Sequence, residues 1–328
     1  MDGQAPGAPE RAAGNRPRRP AGAAGETIGA MTHMRWTHDQ MPRLDGRTVI
    51  VTGASNGVGM ATARGFARAG AHVVLAVRSL ERGEAAARAV RGSNEVRRLD
   101  LADLSSVREF AESWSGDVDV LVNNAGVAMV PAGRTVDGFE MQFGTNHLGH
   151  FALTNLLLPH ITGRVVSLGS GAHRFGAIDF EDPNFERRPY RPVAAYGQSK
   201  LANLLFVLEL QRRLERVGSP VRALAAHPGY TSSDLGTHGR NRLLVGATRI
   251  AGSLLAQGPA TGALPSLYAA TQDLPGAAYV GPDGRRELRG HPTLVGRSAR
   301  ASDPEAAQRL WEMSRRLTGI PGPGDLLA

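Results

Sequence analysis

Residues 47–59 read RTVIVTGASNGVG, and this stretch decides the fold. RTVIV is a short apolar run, as expected of a strand buried on both faces. TGASNGVG follows, with Gly53, Gly57 and Gly59 in a G-x-x-x-G-x-G spacing. Next comes ATARGFARAG (61–70), with helical spacing. Strand, glycine-rich turn and helix are the parts of a dinucleotide-binding unit. The glycines permit a tight turn and let backbone N–H groups reach a pyrophosphate at the helix N-terminus. Ser55, Asn56 and Val58 complete that turn as cofactor-binding candidates. The bland alternative is a glycine-rich turn that holds nothing, and its place between the first strand and a helix argues against it.

Outward from this unit, strand and helix alternate. AHVVLAV (71–77), EVRRLD (95–100), VDVLVN (118–123), GRVVSL (163–168), VRALAA (221–226) and AAYVG (277–281) supply further strands. Helical patterns over 80–90, 103–114, 138–160, 196–216 and 259–270 separate them. The expected fold class is α/β: an open, doubly wound parallel sheet (Rossmann) of about seven strands, with helices on both faces, in a single domain over 45–328. Residues 1–44 are rich in Ala, Gly, Pro and Arg without periodicity and read as a disordered tail. Met31 and Met34 offer alternative starts, which leaves open whether residues 1–30 belong to the translated protein; the intact mass of protein made from its own gene settles it. The irregular stretch 230–258 is a candidate substrate loop or lid.

Composition excludes several classes of function. There is no cysteine, hence no disulfide, Cys-ligated zinc or thiol catalysis. A net charge of +8 raises nucleic-acid binding. The arginines are scattered, however, and aromatics make up only 5%, so a solvated basic surface is the better reading. His147 and His150 are three apart with no third ligand, and they read as packed or surface histidines; no metal is expected. No apolar run is long enough to span a membrane, and the N-terminus lacks a signal-peptide core, so the expected address is the cytoplasm.

The end of the second strand bears on cofactor choice. Dinucleotide folds that use NAD place Asp or Glu there for the adenosine ribose. In this chain Val77 holds the position and Arg78 follows. A guanidinium can pair with a 2′-phosphate that a carboxylate would repel, which predicts NADP(H) over NAD(H). Asp100 and Leu101 close the third strand and could bracket the adenine. Asn124, Ala125 and Gly126, after Asn123, close the fourth with small residues that can line the cofactor.

The chemistry is carried by YGQSK (196–200). Lys200 is the only lysine in a chain with thirty-seven arginines, and only five residues are tyrosine, one of them four before it. Residues four apart share a helix face. A free phenol titrates near ~10, and a neighbouring ammonium favours the phenolate. Lysine's compact three-donor head can serve the phenol and a ribose together, where a planar guanidinium would reach differently.

At this point the chain resembles the short-chain dehydrogenase/reductase family. The matching stretches are TGASNGVG, NNAG (123–126), GTNHLGHF (144–151), VVSLGSGAH (165–173), YGQSK and HPGY (227–230), in the family's order. GAIDFEDPNF (176–185) and SKLANLLFVLEL (199–210) look most like its retinol-dehydrogenase-like branch. The resemblance implies Tyr196 as general acid in reduction and base in oxidation, with Lys200 lowering its pKa and binding the nicotinamide ribose. It implies Ser170, in preference to Ser167, as partner of the substrate oxygen, and Asn146 as holder of a water in a proton relay with Lys200. Tyr190 has Ala at 194 in place of a partner. Pro228 and Gly229 would pass beside the nicotinamide, with Thr231 near its carboxamide. The implied activity is hydride transfer between NADP(H) and an alcohol, aldehyde or ketone. The rivals are reduction of a C=C bond by the same pair and an NADP-binding regulator without turnover. Leu235, Leu243, Leu244 and Val245 suggest a lipophilic substrate, or they pack the lid. Helices 138–160 and 196–216 resemble family dimer surfaces, or serve the core, so monomer and homodimer both stand.

Overall fold

The computed structural model describes residues 1–3, 35–230 and 257–322. The predicted strands form as β1 Thr48–Thr52, β2 His72–Val77, β3 Asn94–Arg98, β4 Val118–Asn123, β5 Ile161–Leu168, β6 Arg222–Ala226 and β7 Tyr279–Pro282. They lie in one sheet of order β3-β2-β1-β4-β5-β6-β7, all parallel. An eighth strand, β8 Pro292–Leu294, pairs antiparallel with β7. Sequence reading missed it because three residues give no period to detect.

Alternation along each strand explains the two-sided burial. In β1, Val49 and Val51 face one core and Ile50 the other; in β2, Val73, Leu75 and Val77 oppose Val74 and Ala76. One core is closed by α1 Gly57–Arg68, α2 Leu80–Ala87 and α7 Pro259–Thr271, through Phe66, Ala86 and Leu267. The other is closed by α3 Leu104–Glu112, α5 Gly149–Leu157, α6 Pro192–Arg216 and α8 Pro304–Thr318. Phe110, Phe151, Phe206 and Trp311 are its large members. The apolar residues of α5 and α6 are thus largely spent on the core.

Two boundaries differ from expectation. Residues 35–44, assigned to the tail from composition, are ordered: Trp36 is buried edge-on against Tyr268, ring centroids 5.3 Å apart. The remainder of the expected tail and nearly all of the substrate loop lie outside the described residues. The helix carrying Tyr196 starts earlier than its pattern, at Pro192, where a fixed φ and a missing N–H cost nothing. Its far end is fastened by Glu209, fully buried among Arg212, Arg213 and Arg216 at 2.7, 2.8 and 3.3 Å.

Strand order reverses between β1 and β4. Crossovers leave that point in opposite directions, so a crevice opens beyond the carboxyl ends of the strands.

Candidate active site

The crevice has a volume of about 320 Å³. At one end its wall is the turn from β1 into α1. Gly53 has φ +66°, and a Cβ on it would lie 2.9 Å from the Ala125 Cα. At Gly59 a Cβ would lie 2.5 Å from the Gly53 carbonyl oxygen and 2.4 Å from Asn124 Nδ2. Side chains are excluded where the ends of β1, β4 and α1 converge. Ser55, Asn56, Gly57 and Val58 line the space beside the first N–H groups of α1. Such a cradle of bare backbone and free donors fits a pyrophosphate.

Thr52 holds this corner together. Its Oγ1 accepts from the N–H groups of Asn124 and Ala125, both at 2.9 Å, while Asn124 Nδ2 donates to the Thr52 carbonyl at 2.7 Å. Asn123 points away from the crevice and donates to Thr154 Oγ1 at 2.8 Å and Ser167 Oγ at 3.3 Å. The two asparagines thus tie β4 to its neighbours β5 and β1.

Farther along, Val77, Arg78, Asp100 and Leu101 line the crevice, together with Leu99, which the sequence did not single out. Asp100 Oδ1 accepts from the Ala102 N–H at 3.0 Å and shapes the turn after β3. Arg78 is exposed and its guanidinium has no hydrogen bond or ion pair to another described residue. Arg82 and Ser79 share that wall and were missed. The available signal was a second arginine one helical turn after the first, just past the Ser79 cap, whose Oγ accepts from the Arg82 N–H at 3.3 Å.

The other end gathers Gly126, Val127, Thr145, Leu168, Tyr196, Lys200 and Pro228. Lys200 is buried, and its Nζ donates to the Leu168 carbonyl at 3.0 Å and lies 5.8 Å from the Tyr196 ring centroid. Burial alone brings its pKa down to about 8. Burial also raises the Tyr196 phenol, and a hydrogen bond with the Ser170 side chain pulls it back down. In this structure burial outweighs that lowering influence. Ser170 also caps the turn that follows β5, accepting from the Ala172 N–H at 3.2 Å. Ser167 is buried in β5 and committed to Asn123, which removes it as the substrate's partner. Tyr190 is likewise committed, donating to the Val130 carbonyl at 3.0 Å and accepting from Gln142 at 2.9 Å.

Asn146 lies behind the wall, in a π-helical turn, Gly144–Leu148, between α4 Met141–Phe143 and α5. Such turns expose carbonyls that a regular helix would use. Both its amide donors are used: Nδ2 donates to Val127 O and Ser199 Oγ, both at 2.9 Å, while Oδ1 accepts from the Val127 N–H at 2.8 Å. What remains for a water are acceptors: a second lone pair on Oδ1 and one on the main-chain carbonyl. Gly229 does not line the crevice with Pro228; its N–H turns to His227 Nδ1 at 3.3 Å, and a Cβ would strike the Leu288 carbonyl. Thr231, Leu235, Leu243, Leu244 and Val245 lie outside the described residues. The described residues contain no cluster of His, Asp and Glu able to hold a metal. No helix among them is long and apolar enough to cross a membrane.

A doubly wound sheet with a dinucleotide cradle at one end of its crevice and a Ser–Tyr–Lys cluster at the other defines a nicotinamide-dependent oxidoreductase. The pattern of the short chain dehydrogenase family matches residues 47–242, and the chain belongs to that family as a dehydrogenase acting on alcohols with NAD(P). It is 44% identical to human retinol dehydrogenase 13 over 296 residues, covering 85% of this chain and 87% of that protein. With mouse polyprenol dehydrogenase it shares 41% identity, over 86% and 87% of the two chains. Among solved structures, an uncharacterized protein from Mycobacterium paratuberculosis is similar at 53% identity and a TM-score of 0.78, over 88% of this chain and 99% of the other. The NADP active-site complex of RhlG from Pseudomonas aeruginosa is similar at 25% identity and a TM-score of 0.58, over 72% and 94%.

Proposed function

We propose that this dehydrogenase moves a hydride between NADP(H) and the alcohol/carbonyl pair of a lipophilic substrate, with Tyr196 as the proton donor and acceptor. The observation that carries the reading is the placement of Tyr196 and Lys200 together on the crevice wall, Lys200 Nζ 5.8 Å from the Tyr196 ring centroid, at the far end from the glycine cradle. When bound, the nicotinamide supplies or takes up the hydride. Ser170 and Tyr196 converge on the substrate oxygen, Ser170 orienting it and Tyr196 transferring the proton. A positioned general acid or base contributes about 10²–10⁴-fold. Lys200, three-donor and positively charged below about pH 8, holds ribose hydroxyls and stabilises a forming phenolate.

Arg78 supports NADP(H): it lines the crevice at the end of β2, free of partners among the described residues, where a carboxylate would select NAD(H). A lipophilic substrate is supported by the relatives named for retinol and polyprenol. The test is a panel of aldehydes, ketones and alcohols of graded chain length, run with NADPH, NADH and their oxidised forms. The reading expects carbonyl reduction with NADPH, improving with apolar chain length. Exclusive NADH use removes the assignment of Arg78, and saturation of C=C bonds in place of carbonyl reduction removes the reaction class.

A further inference from the structure

The motifs GTNHLGHF and VVSLGSGAH each bring a buried histidine close to the reaction centre, and the chemistry above uses neither. His150 Nδ1 lies 2.9 Å from the main-chain carbonyl of Asn146, and its Nε2 lies 2.9 Å from Thr52 Oγ1. His173 Nδ1 lies 2.6 Å from the main-chain carbonyl of Ser170, and its Nε2 accepts from the Ser298 N–H at 3.2 Å. A carbonyl can only accept, so both rings carry their proton on Nδ1. The far partners agree. Ser298 N–H can only donate. Thr52 Oγ1 already accepts from two N–H groups, so its own proton goes to His150 Nε2 at 2.9 Å before the Val122 carbonyl at 3.4 Å. His147 provides the contrast. Its Nε2 meets Ser314 Oγ at 2.8 Å, whose proton is committed to the Leu310 carbonyl, so that ring is protonated on Nε2.

We propose that His150 and His173 are paired positioning residues: each ties the main-chain carbonyl of a residue of the proton-transfer centre to a distant element of the fold. The proposal rests on the reading of Asn146 and Ser170 given above. His150 links the π-turn of Asn146 to Thr52, hence to the corner where β1 and β4 shape the cofactor cradle. His173 links the Ser170 turn to the segment after β8, which also holds that turn through Arg300 Nη1 to the Gly176 carbonyl at 3.0 Å. Burial keeps both rings neutral at pH 7, with His150 down at about 4, so each Nε2 stays an acceptor. The logic is that of outer-shell partners in metal sites, which never touch substrate yet fix the groups that do.

The test separates the two ring nitrogens in the full-length protein. Asn places a donor where His has Nδ1, and Gln places one where His has Nε2. With NADPH and the fastest aldehyde of the panel, each of these variants at His150 and His173 keeps only one half of the tie and should lose kcat by about 10–100-fold, the range for outer-shell partners. Substrate KM should change less than kcat. ¹⁵N imidazole spectra of wild type should show His150 and His173 as Nδ1–H tautomers and His147 as the Nε2–H tautomer, assigned by loss of signal in the Asn variants. A kcat within about threefold of wild type in any of these variants, or an Nε2–H tautomer at either position, overturns the proposal. Tyr196→Phe, assayed alongside, separates the readings: undiminished turnover there removes the proton-transfer centre itself, and the positioning role with it.

Discussion

Where β1 turns into α1, the crevice wall is bare backbone: glycines, free N–H groups, and the exposed Arg78. Where β4, β5 and α6 converge, the wall is cross-linked side chains. Asn146 spends both amide donors on Val127 and Ser199, Lys200 and Asn203 both donate to the Leu168 carbonyl at 3.0 Å, and Ser170 is held by the Ala172 N–H. The contrast follows from what each end must do. A phosphate is recognised by donors and charge that a backbone turn supplies by itself. A proton moves only between groups fixed within a fraction of an ångström, so the chemical end is preorganised by bonds made in advance.

Substitutions at the two ends should therefore fail differently. The largest loss of cofactor affinity is expected from Gly59→Val, whose added carbon would lie 2.5 Å from the Gly53 carbonyl. NADPH affinity should fall by more than about 100-fold with the chemical end unchanged, as fluorescence titration would read. Ser170→Ala should lower kcat by about 10²-fold with cofactor affinity held, whereas Ser167→Ala should cost about 1 kcal/mol of stability and little rate, as kinetics and urea unfolding would show. Equal rate losses at both serines would erase the distinction drawn from the Asn123 bond. Arg78→Ala should weaken NADPH by about tenfold and leave NADH nearly unchanged, a difference of about 1–2 kcal/mol for a charged hydrogen bond.

The smallest effect has the less intuitive sign. Lys200 is a buried ammonium whose native pKa of about 8 lies below its ordinary value, so its charge destabilises the fold. Lys200→Met should inactivate the protein yet stabilise it by about 1–3 kcal/mol at pH 7, since Asn203 still satisfies the Leu168 carbonyl. Below pH 8 both states hold the proton and the penalty is complete. Between about 8 and ~10.4 the unfolded chain binds more protons than the native one, so wild-type stability rises and its gap to the variant closes. A gap that widens with pH over that window would contradict the buried-charge account.

The same contrast sets what the sequence reveals. The glycine turn, the seven parallel strands and the Tyr196–Lys200 pair are local patterns, readable within a few residues. Bonds that order the chemical end are not local. His150 meets Thr52 across 98 positions and His173 meets Ser298 across 125, so no window on either motif separates them from ordinary core histidines. The π-turn at Asn146 is equally hidden, because its residues carry an ordinary helical pattern. Trp36 sits in a stretch without periodicity, and the partner that buries it, Tyr268, lies on α7. The burial that raises the Tyr196 phenol is likewise a property of the assembled wall and not of the YGQSK spacing.

Tyr196→Phe tests the central claim most directly, because it removes one oxygen and leaves both ends of the crevice in place. The account predicts that kcat for carbonyl reduction falls by about 10²–10⁴-fold while NADPH affinity stays within about threefold. Turnover at the wild-type rate, with the variant folded and cofactor bound, would contradict it.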